Sequence, residues 1–116
     1  MEKKYGFVYI WFDKKRRMFY IGCHWGTVND GYICSSNRMR DAYRRRPQDF
    51  RRKILKSNIT DRSALLDEEY LWLKMIDDAE LNIRYYNAIN KRFGHWSETQ
   101  DKSGNKIQIY YEFGAC

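Results

Sequence analysis

Glu69 is the residue of this 116-residue chain whose position most needs a chemical explanation. Set at about 100° per residue, the segment running from near Ser63 to Ile76 or a little beyond puts Ser63, Asp67, Lys74 and Asp78 on a polar face. Leu65, Leu66, Trp72, Leu73 and Ile76 form the opposite, apolar face. Glu69 falls in the middle of that apolar face, with Glu68 nearer its margin. A carboxylate turned into a core is costly. It persists when it is paired, protonated or bound to a metal ion. The helix alone leaves two readings open: a buried ion pair with one of the arginines, or a hard oxygen ligand for a divalent cation.

Two phenols form the second pattern. Residues 5–12 (Tyr-Gly-Phe-Val-Tyr-Ile-Trp-Phe) are aromatic and β-branched almost throughout, which suits a central strand buried on both faces. Residues 17–22 (Arg-Met-Phe-Tyr-Ile-Gly) read as a second strand, and the polar stretch Asp13-Lys14-Lys15-Arg16 as a hairpin loop of four residues rather than two. Centring the loop between Lys14 and Lys15 pairs Phe12 with Arg17 and Tyr9 with Tyr20. The two phenols then share one face of the hairpin.

The other elements must position these groups. Residues 23–36 are loop-like. Ser35 or Ser36 can cap a helix that runs to about Arg46, where Pro47 stops it. Phe50 to Leu55 is ambiguous and is read as a third strand; Thr60 or Asp61 can cap the long helix carrying Glu69. Residues 83–89 are irregular or briefly extended. Asp101-Lys102-Ser103-Gly104-Asn105 is a turn signal leading into a strand, so a C-terminal β-hairpin is expected. The fold class is α+β: a small three-stranded antiparallel sheet flanked by helices. Residues 1–90 form the main domain, with residues 91–116 an extension packed on it.

Composition bounds the partners. Apolar residues make up 43% and aromatics 17%, enough for a core, and no run is long enough for a membrane span. The three cysteines, an odd number without secretory context, fit reduced thiols in a cytoplasm. Cys23, His24, Cys34 and His95 lack zinc-site spacing. The net charge is +7, and Arg38, Arg40, Arg44, Arg45, Arg46, Arg51, Arg52 and Lys53 fall in one short stretch. Such a run is either a solvated face or a surface for a polyanion, with phosphate the expected partner.

Val8-Tyr9-Ile10 followed by Tyr20-Ile21-Gly22 resembles the GIY-YIG nuclease signature, with Phe7-Val8-Tyr9 standing where Gly-Ile-Tyr is usual. Gly31-Tyr32-Ile33-Cys34-Ser35-Ser36 is similar to the Gly-Tyr-Ile-Gly-Ser-Ser/Gly segment of phage-type members, with Cys34 replacing glycine. Glu69-Tyr70-Leu71-Trp72-Leu73-Lys74 resembles the helix bearing that family's metal-binding glutamate, and Tyr86-Asn87 the Tyr-Asn pair after it. The resemblance spans roughly residues 5 to 90.

It implies a metal-dependent DNA endonuclease, of homing, restriction or repair type, acting on double-stranded DNA in a bacterial or phage-infected cytoplasm. Glu69 would hold one Mg²⁺ or Mn²⁺. Tyr9 would be the general base, with Tyr20 orienting the water, and Arg38, or else Arg40, would clamp the phosphate. His24 is a further candidate for the water's proton, and Asn87 either anchors a loop or takes part in the chemistry. With few residues beyond the nuclease-like region, specificity would come from the domain, a homodimer on DNA or a partner. The alternatives are a catalytically inactive module that binds nucleic acid through the same scaffold, and a protein–protein adaptor, which explains neither the basic run nor Glu69.

Overall fold

The computed structural model describes residues 3–91, and the strands at 96–100 and 106–110 as backbone. The main elements are β1 (Tyr5–Asp13), β2 (Met18–Gly26), α1 (Asn37–Arg45), β3 (Phe50–Ile59) and α2 (Arg62–Leu73). The three strands form an antiparallel sheet in the order β2-β1-β3. This is a small α+β domain, with its most apolar strand in the centre. β4 (Trp96–Gln100) and β5 (Lys106–Tyr110) pair antiparallel with each other. The turn expected between them, 101–105, lies outside the described residues.

Alternation along β1 sends side chains to two cores. Phe7, Tyr9 and Trp11 join Met18, Tyr20 and Phe50 on one face, covered by Met39 and Ala42 of α1. Val8, Ile21 and Cys23 occupy the other face, covered by Leu65 and Leu73 of α2 together with Ile76. Each helix begins at an expected cap: Ser36 accepts from the Met39 amide at 3.2 Å, and Asp61 from the Ala64 amide at 3.0 Å. α2 ends three residues before Ile76, the limit expected for it.

β2 is an edge strand, and its outer side is closed by the segment after α2. The Phe19 amide donates to the Arg84 carbonyl at 2.9 Å, and the Tyr86 amide to the Phe19 carbonyl at 2.7 Å. Asn87 continues the ladder with its side chain: its Oδ1 accepts from the Ile21 amide at 2.9 Å and its Nδ2 donates to the Ile21 carbonyl at 2.8 Å. A buried amide that replaces a missing strand satisfies both backbone groups at once. Asn87 therefore anchors the chain to the sheet edge.

The hairpin register is offset by two residues from the expected one. Asp13 pairs with Met18, so Tyr9 lies opposite Gly22, and Tyr20 opposite Trp11. The four-residue loop is 14–17, one position later than expected. An even offset keeps both tyrosines on the same face, now as diagonal neighbours. The cause is Asp13, which belongs to the strand and is fully buried. Its Oδ1 accepts from the Lys15 and Arg16 amides at 3.0 and 3.3 Å. Arg46 grips both carboxylate oxygens at 3.0 and 2.8 Å, and the Tyr86 hydroxyl donates to Oδ2 at 2.6 Å.

Two of the cations assigned to nucleic acid are thus internal. Arg46 bonds Asp13 and, at 2.9 Å, Asp49. Arg52 donates to the Val28 carbonyl and lies over the rings of Phe7 and Trp11, 5.8 Å from each centroid. Of the cysteines, Cys34 is a buried free thiol, Cys23 is not free, and Cys116 lies outside the described residues.

Burial pushes the Asp13 carboxyl up, but the bonds from Arg46, Tyr86 and the Arg16 amide outweigh it and hold it well below the usual carboxylate range. A lowered folded value means that the pair stabilises fully above the ordinary carboxylate range, and that this contribution is lost as pH falls through it. Asp13→Ala leaves Arg46 half-buried and short of its main partner. It is expected to cost about 3–5 kcal/mol in urea denaturation at neutral pH, and to flatten the acid limb of stability; a loss under about 1 kcal/mol contradicts this role.

Candidate active site

The two phenols converge where a glycine lets them. A Cβ on Gly22 would meet the Tyr9 hydroxyl at 2.6 Å, Tyr9 Cζ at 2.8 Å and Tyr20 Cε2 at 2.9 Å. Glycine is therefore required at the third position of Tyr-Ile-Gly: the Tyr9 ring crosses directly over it. The ring centroids of Tyr9 and Tyr20 are 6.3 Å apart. The Tyr20 hydroxyl bonds Ser35 Oγ at 2.9 Å, whereas the buried Tyr9 hydroxyl reaches no partner at full hydrogen-bond geometry, the Tyr32 side chain being the group that acts on it.

Glu69 comes from the other side. It sits in the buried stripe Leu65–Glu69–Leu73 of α2, as helical periodicity requires, and is fully inaccessible. α2 packs on the sheet face opposite the phenols, against β2 at Cys23. There the Cys23 amide acts on the carboxylate without reaching good hydrogen-bond geometry, and neither Glu69 oxygen has a partner. The Glu69 charge is felt at Tyr9, Tyr20 and Tyr32. Carboxylate and phenols thus approach one another around Gly22 and Cys23, from opposite faces of an edge strand. Neither expected arginine pairs with Glu69.

Next to this point lies a cavity of about 280 Å³, lined by Tyr20, Ser35, Ser36, Tyr86, Asn87, Ala88 and Ile89. Arg38 stands over the Tyr86 ring, 5.3 Å from its centroid, and donates to the Asn82 carbonyl at 3.1 Å. Arg40 points the other way. It bonds the Cys34 carbonyl at 3.4 Å and Asn37, leaving a buried Nε without partner, and its charge reaches Tyr32 and Cys34. Arg38 is the cation beside the cavity; Arg40 is the cation beside Tyr32 and Cys34.

His24 does not face the cavity. Its Nε2 is 2.7 Å from Asp30 Oδ2, and its ring stacks on Tyr32 at 3.9 Å with 4° between planes. Tyr32 in turn lies edge-on to Tyr9, with centroids 6.5 Å apart. His24 therefore holds the loop and Tyr32 against the phenols. Tyr32, Ser35 and Gly22 were missed as site residues, although all three sit inside the quoted motifs. The remaining proposed phosphate contacts, Arg44, Arg45, Arg51 and Lys53, are exposed; Arg51 pairs with Phe12 near the hairpin turn, whereas Lys53 pairs with Ile10, level with Ile21.

The electrostatics suit a cation. Burial, then repulsion among the phenols, raises Tyr9 well above its ordinary value, and burial raises Tyr20 likewise against the Ser35 bond. Burial pushes Glu69 up to about 8. One carboxylate with two unengaged oxygens fits a hydrated Mg²⁺, which takes few protein ligands. Among the described residues no group of three or more His, Cys, Asp or Glu is placed to make a closed site, and no helix is long and apolar enough to cross a membrane. Comparison with protein-family models, curated proteins and solved structures yields no match to this chain.

The raised Glu69 value has a thermodynamic consequence. The folded state holds this proton more tightly than the unfolded one, so the stabilisation is complete below the ordinary glutamate value of 4.5 and is lost as pH rises to about 8. Chemical denaturation across that window should show wild type losing a few kcal/mol relative to Glu69→Gln, which is expected to be the more stable protein at the alkaline end. Parallel pH profiles for the two proteins would place Glu69 in a polar setting instead.

Proposed function

We propose that the chain is a divalent-metal-dependent DNA endonuclease that hydrolyses a phosphodiester with a tyrosine-activated water. The observation that carries this reading is the set of buried polar atoms without a well-formed hydrogen bond: both Glu69 oxygens and the Tyr9 hydroxyl, on which the Cys23 amide and the Tyr32 side chain act without full hydrogen-bond geometry. A stable fold rarely tolerates such groups in one neighbourhood, because each costs about 1–3 kcal/mol or more. They gain partners together if an ion and a phosphate enter between them. The resemblance of Tyr9, Tyr20-Ile21-Gly22, Glu69 and Asn87 to the GIY-YIG signature points to the same chemistry.

In this reading Glu69 holds the ion, which supplies Lewis acidity to the phosphate and leaving oxygen when bound. Tyr20, whose ring lines the cavity, positions the attacking water, and Tyr9 behind it takes up the proton. Both phenols sit above their ordinary values, so Tyr9 must lose its own proton before it can accept one from water, a cost that a cation held by Glu69 would lower. Arg38, exposed beside Tyr86, clamps the phosphate from outside. Asn87 keeps the sheet edge closed so that the cavity wall does not shift.

Supercoiled plasmid incubated with Mg²⁺ or Mn²⁺ tests this. Wild type is expected to yield nicked or linear product, and Glu69→Gln none while still binding DNA. Tyr9→Phe and Tyr20→Phe should each lower the rate at least about 100-fold. Intact plasmid with wild type under these conditions, alongside tight DNA binding, would instead favour the inactive binding module.

A further inference from the structure

The two most basic segments of the chain, far apart in sequence, meet at one end of the domain. Four consecutive cations, Lys14 to Arg17, form the β1–β2 turn, and all four are exposed. The turn is held from below. Asp13 binds its Lys15 and Arg16 amides, the Lys14 amide donates to the Asp49 carbonyl at 2.9 Å, and Arg17 is fixed in a left-handed conformation at φ 55°. Phe12 and Phe19 stack across the strands just beneath it, 4.9 Å between centroids.

The ion pair from Arg46 to Asp13 fixes the C-terminal end of α1 at the same place, bringing exposed Arg44 and Arg45. Arg51, exposed on the adjoining strand, pairs with Phe12 just below the turn. Asp13 and Asp49, the acids built into this end, are already bound to Arg46. Cations gathered on an ordered surface repel one another unless an anion lies against them.

We infer that the β1–β2 turn is a second contact for the phosphate backbone of duplex DNA, set at a fixed spacing from the cleavage site. This rests on the nuclease reading above. At roughly 3.3 Å per strand residue, Arg17 stands about 10 Å along β2 from Tyr20 and about 16 Å from Gly22. That spacing matches roughly three to five steps of 3.4 Å along one DNA strand. The turn grips phosphates a few base pairs from the one being cut and sets the angle at which the duplex crosses the cavity.

The test is equilibrium binding of a short labelled duplex across a KCl series, without divalent metal, in a Glu69→Gln background. The variant Lys14→Ala/Lys15→Ala/Arg16→Ala/Arg17→Gly removes the turn's charge, glycine being free to adopt the left-handed conformation. A control, Lys56→Ala/Arg62→Ala/Lys74→Ala/Lys91→Ala, removes equal charge elsewhere. The turn variant should lose at least about 10-fold in affinity, and its salt slope should fall by roughly 2 to 3, since each phosphate contact contributes about 0.9. The control should keep the wild-type slope. Equal losses in both variants, or an unchanged slope in the turn variant, overturn the inference. Single Lys15→Glu gives the same reading should the quadruple variant fold poorly: an unchanged salt slope there also overturns it. Cleavage is scored separately, so a chain that binds through the turn but never cuts refutes the nuclease reading and leaves this surface standing.

Discussion

A carboxylate sealed in an apolar helix stripe, with both oxygens unengaged, is the constraint from which the rest of this molecule can be argued. Glu69 occupies the place where a leucine would complete the run from Leu65 to Leu73. Among the described residues no ion pair compensates it, and the Cys23 amide acts on it without good hydrogen-bond geometry. The neighbouring structure is arranged around that point. Gly22 gives up its side chain to make room for Tyr9, and Asn87 closes the strand edge at Ile21, immediately beside the site.

The domain divides its polar residues into two groups with different duties. At one end of β2, buried polar groups lack well-formed hydrogen bonds and the phenols crowd together, a costly arrangement that protonation of Glu69 or a bound ligand would relieve. At the other end, Asp13, Arg46, Tyr86 and Asp49 satisfy one another completely. That second network locks the hairpin turn to α1 and to the segment carrying Asn87. It therefore also sets the position of the cavity wall. A rigid, fully satisfied scaffold beside an unsatisfied site is the arrangement expected when a site must be preorganised.

Much of this was legible from local patterns. The helical spacing of Leu65, Glu69 and Leu73 put the carboxylate in the core, and the apolar run of β1 put that strand in the centre. Ser36, Asp61 and Pro47 marked the helix ends through capping chemistry that depends only on neighbours. What could not be read locally were pairings across the chain. Asp13 looks like a loop residue until Arg46, 33 positions away, is brought against it; that single contact moved the hairpin register by two and withdrew Arg46 from the nucleic-acid surface. The opposite directions of Arg38 and Arg40 likewise depend on Tyr86 and Cys34, which the helix sequence does not contain. Tyr32 and Ser35 were visible inside a quoted motif, but their contacts with His24 and Tyr20 arise only when the loop folds back on the sheet.

The account turns on Glu69 as the ligand of one divalent ion, and electron paramagnetic resonance of added Mn²⁺ addresses that directly. With a short uncleaved duplex present, wild-type protein should remove about one Mn²⁺ per chain from the free-ion signal, and Glu69→Gln, equally folded and equally bound to DNA, should remove none. Identical Mn²⁺ uptake by the two proteins would contradict the account.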